Sequence, residues 1–342
     1  MKRKITSFVA VFIVLILLGM STLQIGSTAL LDKADSDKCI SHFLSKTEEP
    51  TPPGQPEDGP GGSNYSHFGV RKSRYGFGGH RYWIFEPYGP EPETAPLIVF
   101  NHGFTALNPI FYREWIHHIV KRGNIVIYPR YQPGIIRGQS KFNDNAIQAV
   151  KQAIQVLQNG NHIQPDLDKF AITGHSLGGG ITANMAAQAA EEGLPIPKAI
   201  MPVQPYILYE EGVDFASIPH ETLMLVVVGE NDTVVGNTSG RIIFENSTQI
   251  PLSQKDFIIQ ITDTYGQPDL VADHMAPLCF PFFKTVDAMD YYSTWKLFDA
   301  LTDYAFYGIN GEYCLGNTAE QRFMGLWSDG TAVKELVVTD SP

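Results

Sequence analysis

Cysteine is scarce in this chain: three residues, Cys39, Cys279 and Cys314, among 342. Their spacing fits neither a metal-binding nor a redox motif, which excludes zinc ribbons and C-x-x-C oxidoreductases. An oxidising compartment would permit a Cys279–Cys314 disulfide; two free thiols are the other reading, and one cysteine is left over either way. Basic charge is short as well, with 25 Lys and Arg against 36 Asp and Glu, a net charge of -11. A chain this acidic offers no basic face to a phosphate backbone, so nucleic acid is excluded as a partner. There is no phosphate loop, dinucleotide fingerprint or metal-ligand cluster, and no cofactor is implied. Internal repeats are absent.

Long apolar runs are missing except at the start. Lys2, Arg3 and Lys4 precede an apolar run from Phe8 to Leu18, and no charged residue follows until Asp32. Positive residues stay on the cytoplasmic side while the apolar stretch enters the membrane, so the chain is expected to be exported. Residues 1–31 read as a signal peptide, with Ser27 and Ala29 at a small-residue cleavage site, or as an uncut membrane anchor, since Ile5 to Leu31 is long enough to span a bilayer. The product is then secreted or membrane-anchored, and the N-terminal segment is its only expected membrane contact. Cys39 lacks the context of a lipid-attachment site.

From Ser45 to Ser63 the chain reads SKTEEPTPPGQPEDGPGGS, nearly free of large apolar side chains. Such a stretch buries too little surface to offset its ordering entropy, and residues 32–63 are expected to form a flexible linker. One folded domain over 64–342 follows. Within it, apolar strands alternate with helical patterns. Strands are expected at Tyr82–Glu86, Leu97–Asn101, Ile125–Tyr128, Phe170–Thr173, Ala199–Val203, Leu223–Val228 and Phe257–Ile261. Helices are expected at Phe111–Lys121, at Asn143–Gln158 with Ile147, Val150, Ile154 and Leu157 on one face, at Leu177–Glu192 and at Asp287–Tyr307. This alternation implies a mainly parallel central sheet with helices on both faces.

The chemistry centres on Gly174-His175-Ser176-Leu177-Gly178-Gly179-Gly180, set between a strand and a helix. A sharp turn there lifts the serine hydroxyl off the sheet, and small residues around it let strand and helix approach. A serine hydroxyl is a weak nucleophile and needs a base. His274 lies in a loop after the late strand Phe257–Ile261, whereas His220 precedes a strand, His162 comes before the turn, His117 and His118 sit in a helix, and His102 and His175 lie inside motifs. Asp232 follows the strand Leu223–Val228, at the carboxyl end where open α/β sheets build their sites, and would orient the imidazole. Glu230, Asp263, Asp269 and Asp273 compete for that role. After the strand Leu97–Asn101, the turn Asn101-His102-Gly103-Phe104-Thr105-Ala106 can aim the Phe104 N–H at a developing oxyanion, beside the Leu177 N–H.

These motifs, in the order Ser, Asp, His, resemble the α/β-hydrolase superfamily, and within it the branch of dienelactone hydrolases, chlorophyllase-like proteins and cutinase-like polyester hydrolases. The resemblance rests on Asn101 to Ala106, Gly174 to Gly180, Gly229 to Val235 and His274. It implies an α/β-hydrolase fold, a Ser176–His274–Asp232 triad, and Phe104 and Leu177 as oxyanion donors. The stretch Thr262–His274 and a tail from Gly308 exceed the family's minimal pattern. Hydrolysis of a small or polymeric carboxylic ester is the leading expectation. An amidase or acyltransferase with the same triad, or a catalytically silent surface binding module, are the alternatives. Asn64, Asn231, Asn237 and Asn246 each begin an N-x-Ser/Thr sequon.

Overall fold

The computed structural model describes residues 49–134, 139–208, 213–279 and 285–342. The expected signal or anchor (1–31), the first part of the expected linker, Cys39 and residues 209–212 lie outside them.

Nine strands form one sheet: β1 Gly69–Tyr75, β2 Tyr82–Tyr88, β3 Thr94–Asn101, β4 Ile125–Pro129, β5 Gln164–His175, β6 Ala199–Val203, β7 Leu223–Gly229, β8 Lys255–Gln260 and β9 Val337–Thr339. Their order is β1-β2-β4-β3-β5-β6-β7-β8-β9. The strands from β4 to β8 run parallel, and β1, β2 and β9 join antiparallel. Every residue of β4 and of β7 is buried, as their unbroken apolar runs require of strands covered on both sides. The helices are α1 Arg113–Lys121, α2 Phe142–Asn159, α3 Leu177–Gln188, α4 Thr238–Asn246, α5 Lys296–Tyr307 and the short α6 Ala319–Arg322; a π-helical turn, Asp290–Trp295, leads into α5. Trp115, Ile116 and Ile119 of α1 and Leu297, Phe298 and Leu301 of α5 share one core with Ile98, Phe100, Val126 and Val227. On the opposite face, α4 brings Gly240 against Val226 and Val228, the alternate residues of β7.

The chain leaves β3 through α1 to β4 on one side, and returns through α2 to β5 on the other. Strand order therefore reverses between β3 and β5, and the crevice at their carboxyl ends is where such sheets bind ligands. Both Asn101 and His175 end strands at that point.

The linker expectation is corrected over 49–63. Gln267 N–H donates to the Pro50 carbonyl at 2.8 Å and Ser328 N–H to the Thr51 carbonyl at 3.0 Å. Gly61 N–H donates to the buried Asp299 carboxylate at 2.7 Å, where a Cβ on residue 61 would lie 2.1 Å from the Tyr291 carbonyl oxygen. Backbone hydrogen bonds and close glycine packing hold a segment whose apolar content is too small to do so. The compact body accordingly begins at Glu49, not at residue 64. Cys279 and Cys314 are free and buried. Thr262–His274 is fixed by an Asp263–Leu270 bridge and by Asp263 Oδ2, which accepts from Trp327 Nε1 at 3.1 Å and Lys334 N–H at 2.9 Å.

Candidate active site

Ser176 sits between β5 and α3 with φ 58° and ψ −123°, a backbone state that costs a non-glycine residue about 1–3 kcal/mol. The surroundings hold it there. Its N–H donates to the Val203 carbonyl at 2.9 Å, and its carbonyl accepts from Gly179, Gly180 and Tyr206. The flanking glycines are steric necessities: a Cβ at Gly178 would lie 2.1 Å from the Asn101 carbonyl oxygen, and one at Gly174 2.5 Å from that of Gly178. The glycine spacing thus lets β5 and α3 cross beside the end of β3, which is what presents the serine at the crevice.

His274 and Asp232 reach the same place from loops after β8 and β7. Ser176 Oγ lies 2.9 Å from His274 Nε2, and His274 Nδ1 lies 2.7 Å from Asp232 Oδ2. All three residues are buried. The other oxygen of Asp232 accepts from the N–H groups of Val234 and Val235, at 2.9 and 3.0 Å. Burial works against the charged carboxylate, but the hydrogen bond and charge of His274, with those two N–H groups, outweigh it and hold Asp232 below the ordinary carboxylate range. A carboxylate so fixed selects the tautomer with the proton on Nδ1, leaving Nε2 free to accept from the serine.

The competing residues are engaged elsewhere. Glu230 accepts from Thr262 N–H on the surface, Asp263 binds Trp327 and Lys334, and Asp273 caps Met275 N–H. His118 pairs with Asp299 at 2.7 Å, His162 pairs with Glu86 at 2.8 Å, and His220 is exposed. Among the described residues, no group of three or more His, Cys, Asp or Glu is arranged to hold a metal ion.

Beside the serine, the turn after β3 is tightly built. Ala106 N–H donates back to the Gly103 carbonyl at 3.1 Å, and Thr105 adopts φ 70°. Gly103 packs closely here: a Cβ on it would lie 2.9 Å from Tyr112 Oη, 3.3 Å from His175 Nδ1 and 3.4 Å from the serine Cβ. Phe104 is buried within this turn, and Leu177 is the first residue of α3. His102 is sandwiched between Tyr131 and Tyr128, at ring distances of 4.1 and 5.3 Å, and burial drives its pKa down to about 4.

Sequence reasoning missed Gln132. Its Oε1 accepts from Thr105 N–H at 2.7 Å, so it braces the turn from the carboxyl end of β4. The available signal was its place three residues past β4, at the same edge of the sheet. A cleft of about 810 Å³, lined by Lys151, Leu167, Glu192, Leu194 and Lys198, opens at the amino-terminal ends of β5 and β6 and contains none of these groups.

Residues 83–210 match the family model for chlorophyllase. The matched stretch runs from β2 past β6, and contains the turn 101–106 and the Ser176 elbow. The chain has the α/β-hydrolase fold. The chlorophyllase family implies an ester hydrolase of this fold. Asp232 and His274 lie beyond the matched stretch, so their part in the candidate site rests on the geometry above. No curated protein matches the chain.

Proposed function

We propose that this protein hydrolyses carboxylic esters through an acyl-enzyme intermediate on Ser176, with His274 as general base and acid and Asp232 as the group that orients it. The observation that carries this reading is the unbroken pair of contacts from Ser176 Oγ to His274 Nε2 (2.9 Å) and from His274 Nδ1 to Asp232 (2.7 Å).

His274 Nε2 takes the hydroxyl proton as Oγ attacks the ester carbonyl carbon. The carbonyl oxygen becomes an oxyanion, stabilised by the N–H groups of Phe104 and Leu177; one such donor is typically worth about 3–4 kcal/mol of barrier. The tetrahedral species collapses, and the alcohol leaves with the proton from His274. A water then gives its proton to His274, attacks the acyl carbon, and the carboxylic acid departs as Oγ regains a proton. Asp232 stabilises the imidazolium in both halves without taking its proton.

The substrate is an ester, small or polymeric, and the protein acts outside the cytoplasm if residues 1–31 direct export. The test is hydrolysis of p-nitrophenyl esters from acetate to palmitate by the chain from Glu49 onward, beside Ser176→Ala. Activity that vanishes in the variant is expected; equal rates in both proteins would remove Ser176 from the mechanism.

A further inference from the structure

Tyr112, His175 and Gln204 lie behind the reacting groups and are fully or almost fully buried. Gly103 N–H donates to Tyr112 Oη at 3.0 Å. Tyr112 Oη lies 2.8 Å from His175 Nδ1. His175 Nε2 lies 3.1 Å from Gln204 Oε1, and Gln204 Nε2 donates to the Asp273 carbonyl at 2.7 Å. The chain therefore begins at the neighbour of Phe104 and ends at the neighbour of His274.

Its two ends fix its direction. A backbone N–H can only donate and a backbone carbonyl can only accept. Gln204 must turn its NH₂ toward Asp273, which leaves its oxygen facing His175, so His175 Nε2 must carry a proton. In a neutral ring Nδ1 is then an acceptor, and Tyr112 O–H donates to it while the Tyr112 oxygen accepts from Gly103. Every group is satisfied in one arrangement of protons. Protonating His175 would turn Nδ1 into a donor and strand the Tyr112 hydroxyl proton.

We propose that Tyr112, His175 and Gln204 form a one-directional hydrogen-bond chain that couples the oxyanion turn to the loop carrying His274, with His175 a positioning residue in its neutral Nε2–H form. This inference rests on the reading of Ser176 and His274 given above. The His175 ring packs 4.7 Å from that of His274, so its neutrality matters: a cation there would oppose the imidazolium that His274 becomes during catalysis. Burial, aided by the adjacent His274, pushes the His175 pKa down to about 3. Gln204 itself has φ 43°, and its N–H is tied to the Val227 carbonyl at 2.6 Å, a backbone state kept where its side-chain amide reaches from His175 to the loop carrying His274.

The test uses Tyr112→Phe, Gln204→Leu and the double variant, with p-nitrophenyl butyrate as substrate, Ser176→Ala in parallel and thermal unfolding of each. Small displacements of reacting groups cost up to about 100-fold. The expected result is a kcat loss of about 10- to 100-fold in each single variant, with KM within about twofold and cooperative unfolding retained. The double variant is expected to lose less than the product of the two single losses, because either change breaks the same chain. Nitrogen-15 NMR of ring-labelled protein is expected to show His175 protonated at Nε2 only, unchanged from about pH 5 to 9. Single variants that fold and keep kcat within about twofold, or a His175 ring protonated at Nδ1, would overturn the proposal while Ser176→Ala remains inactive. Activity surviving in Ser176→Ala would instead overturn the reading beneath it, and this proposal with it.

Discussion

In the proposed mechanism, the orientation of the general base depends on Asp232. Asp232→Asn keeps the shape but can present an NH₂ to His274 Nδ1, favouring the wrong tautomer. The expected kcat is about 10³- to 10⁴-fold lower, measured on p-nitrophenyl butyrate. The same carboxylate gives a pH signature. Its folded pKa is depressed, so its contribution to stability is present above the unfolded value, about 3.9, and is lost as pH falls through the folded value. The melting-temperature advantage of the parent over Asp232→Asn is therefore expected near neutrality and should shrink below about pH 4; an advantage that grows in acid would contradict the pairing. Gln132→Leu tests the brace on the oxyanion turn. It leaves the Thr105 N–H without its acceptor, a loss worth about 1–3 kcal/mol, and kcat is expected to fall about tenfold with KM little changed.

At the scale of elements, the sequence was most readable where burial is complete. The buried parts of the parallel strands β3 to β8 are apolar runs, and α2 carries its apolar face at intervals of three and four, so each was found, although β5 begins at Gln164, six residues before the expected Phe170, in a polar and partly exposed stretch. β1, GVRKSRY, escaped because it is a half-exposed edge strand with three basic side chains and no clean alternation. β9 has three residues and owes its place to pairing with β8. The helix expected to run to Glu192 ends at Gln188, with Leu194 N–H turning back to the Ala189 carbonyl. Residues 49–63 were read as linker because composition reports apolar burial, whereas this segment is held by backbone groups donating to and accepting from distant partners. Asp299 is central to that hold: it also accepts from His118 and pairs with Arg122 at 3.2 Å. A chain starting at Asn64 is thus expected to melt several degrees below one starting at Glu49, at roughly 2–4 °C per kcal/mol for a domain of this size. Equal melting temperatures would show that the segment contributes nothing.

At the scale of the whole molecule, the site exists because three loops from distant parts of the sequence meet where strand order reverses. Ser176 follows the strand beside the reversal, Asp232 lies in the loop after β7, and His274 lies in the loop after β8, 98 positions beyond the serine. Ser176 and Asp232 stood out because each directly follows an apolar strand, so the sheet itself delivers them to one edge, whereas His274 stood out only as a loop histidine after the late strand β8. Gln132, Tyr112 and Gln204 were not legible: a single amide, or a phenol at the start of a helix, has no pattern of its own, and its use appears only when the partner groups are in place. The C-terminal tail adds a strand and clamps Asp263 through Trp327, which fixes the long stretch ahead of His274. Substrate shape is set by side chains around this edge, which the fold leaves free to vary.

The central claim is that Ser176 is the nucleophile that carries the acyl group. The most direct test is to treat the protein with a fluorophosphonate, which is attacked by an activated serine and stays attached, and then to locate the adduct by peptide mass spectrometry. One adduct per chain, on Ser176 and lost in both Ser176→Ala and His274→Ala, is the expected result. Labelling of another residue, or an adduct that persists in Ser176→Ala, would contradict the account.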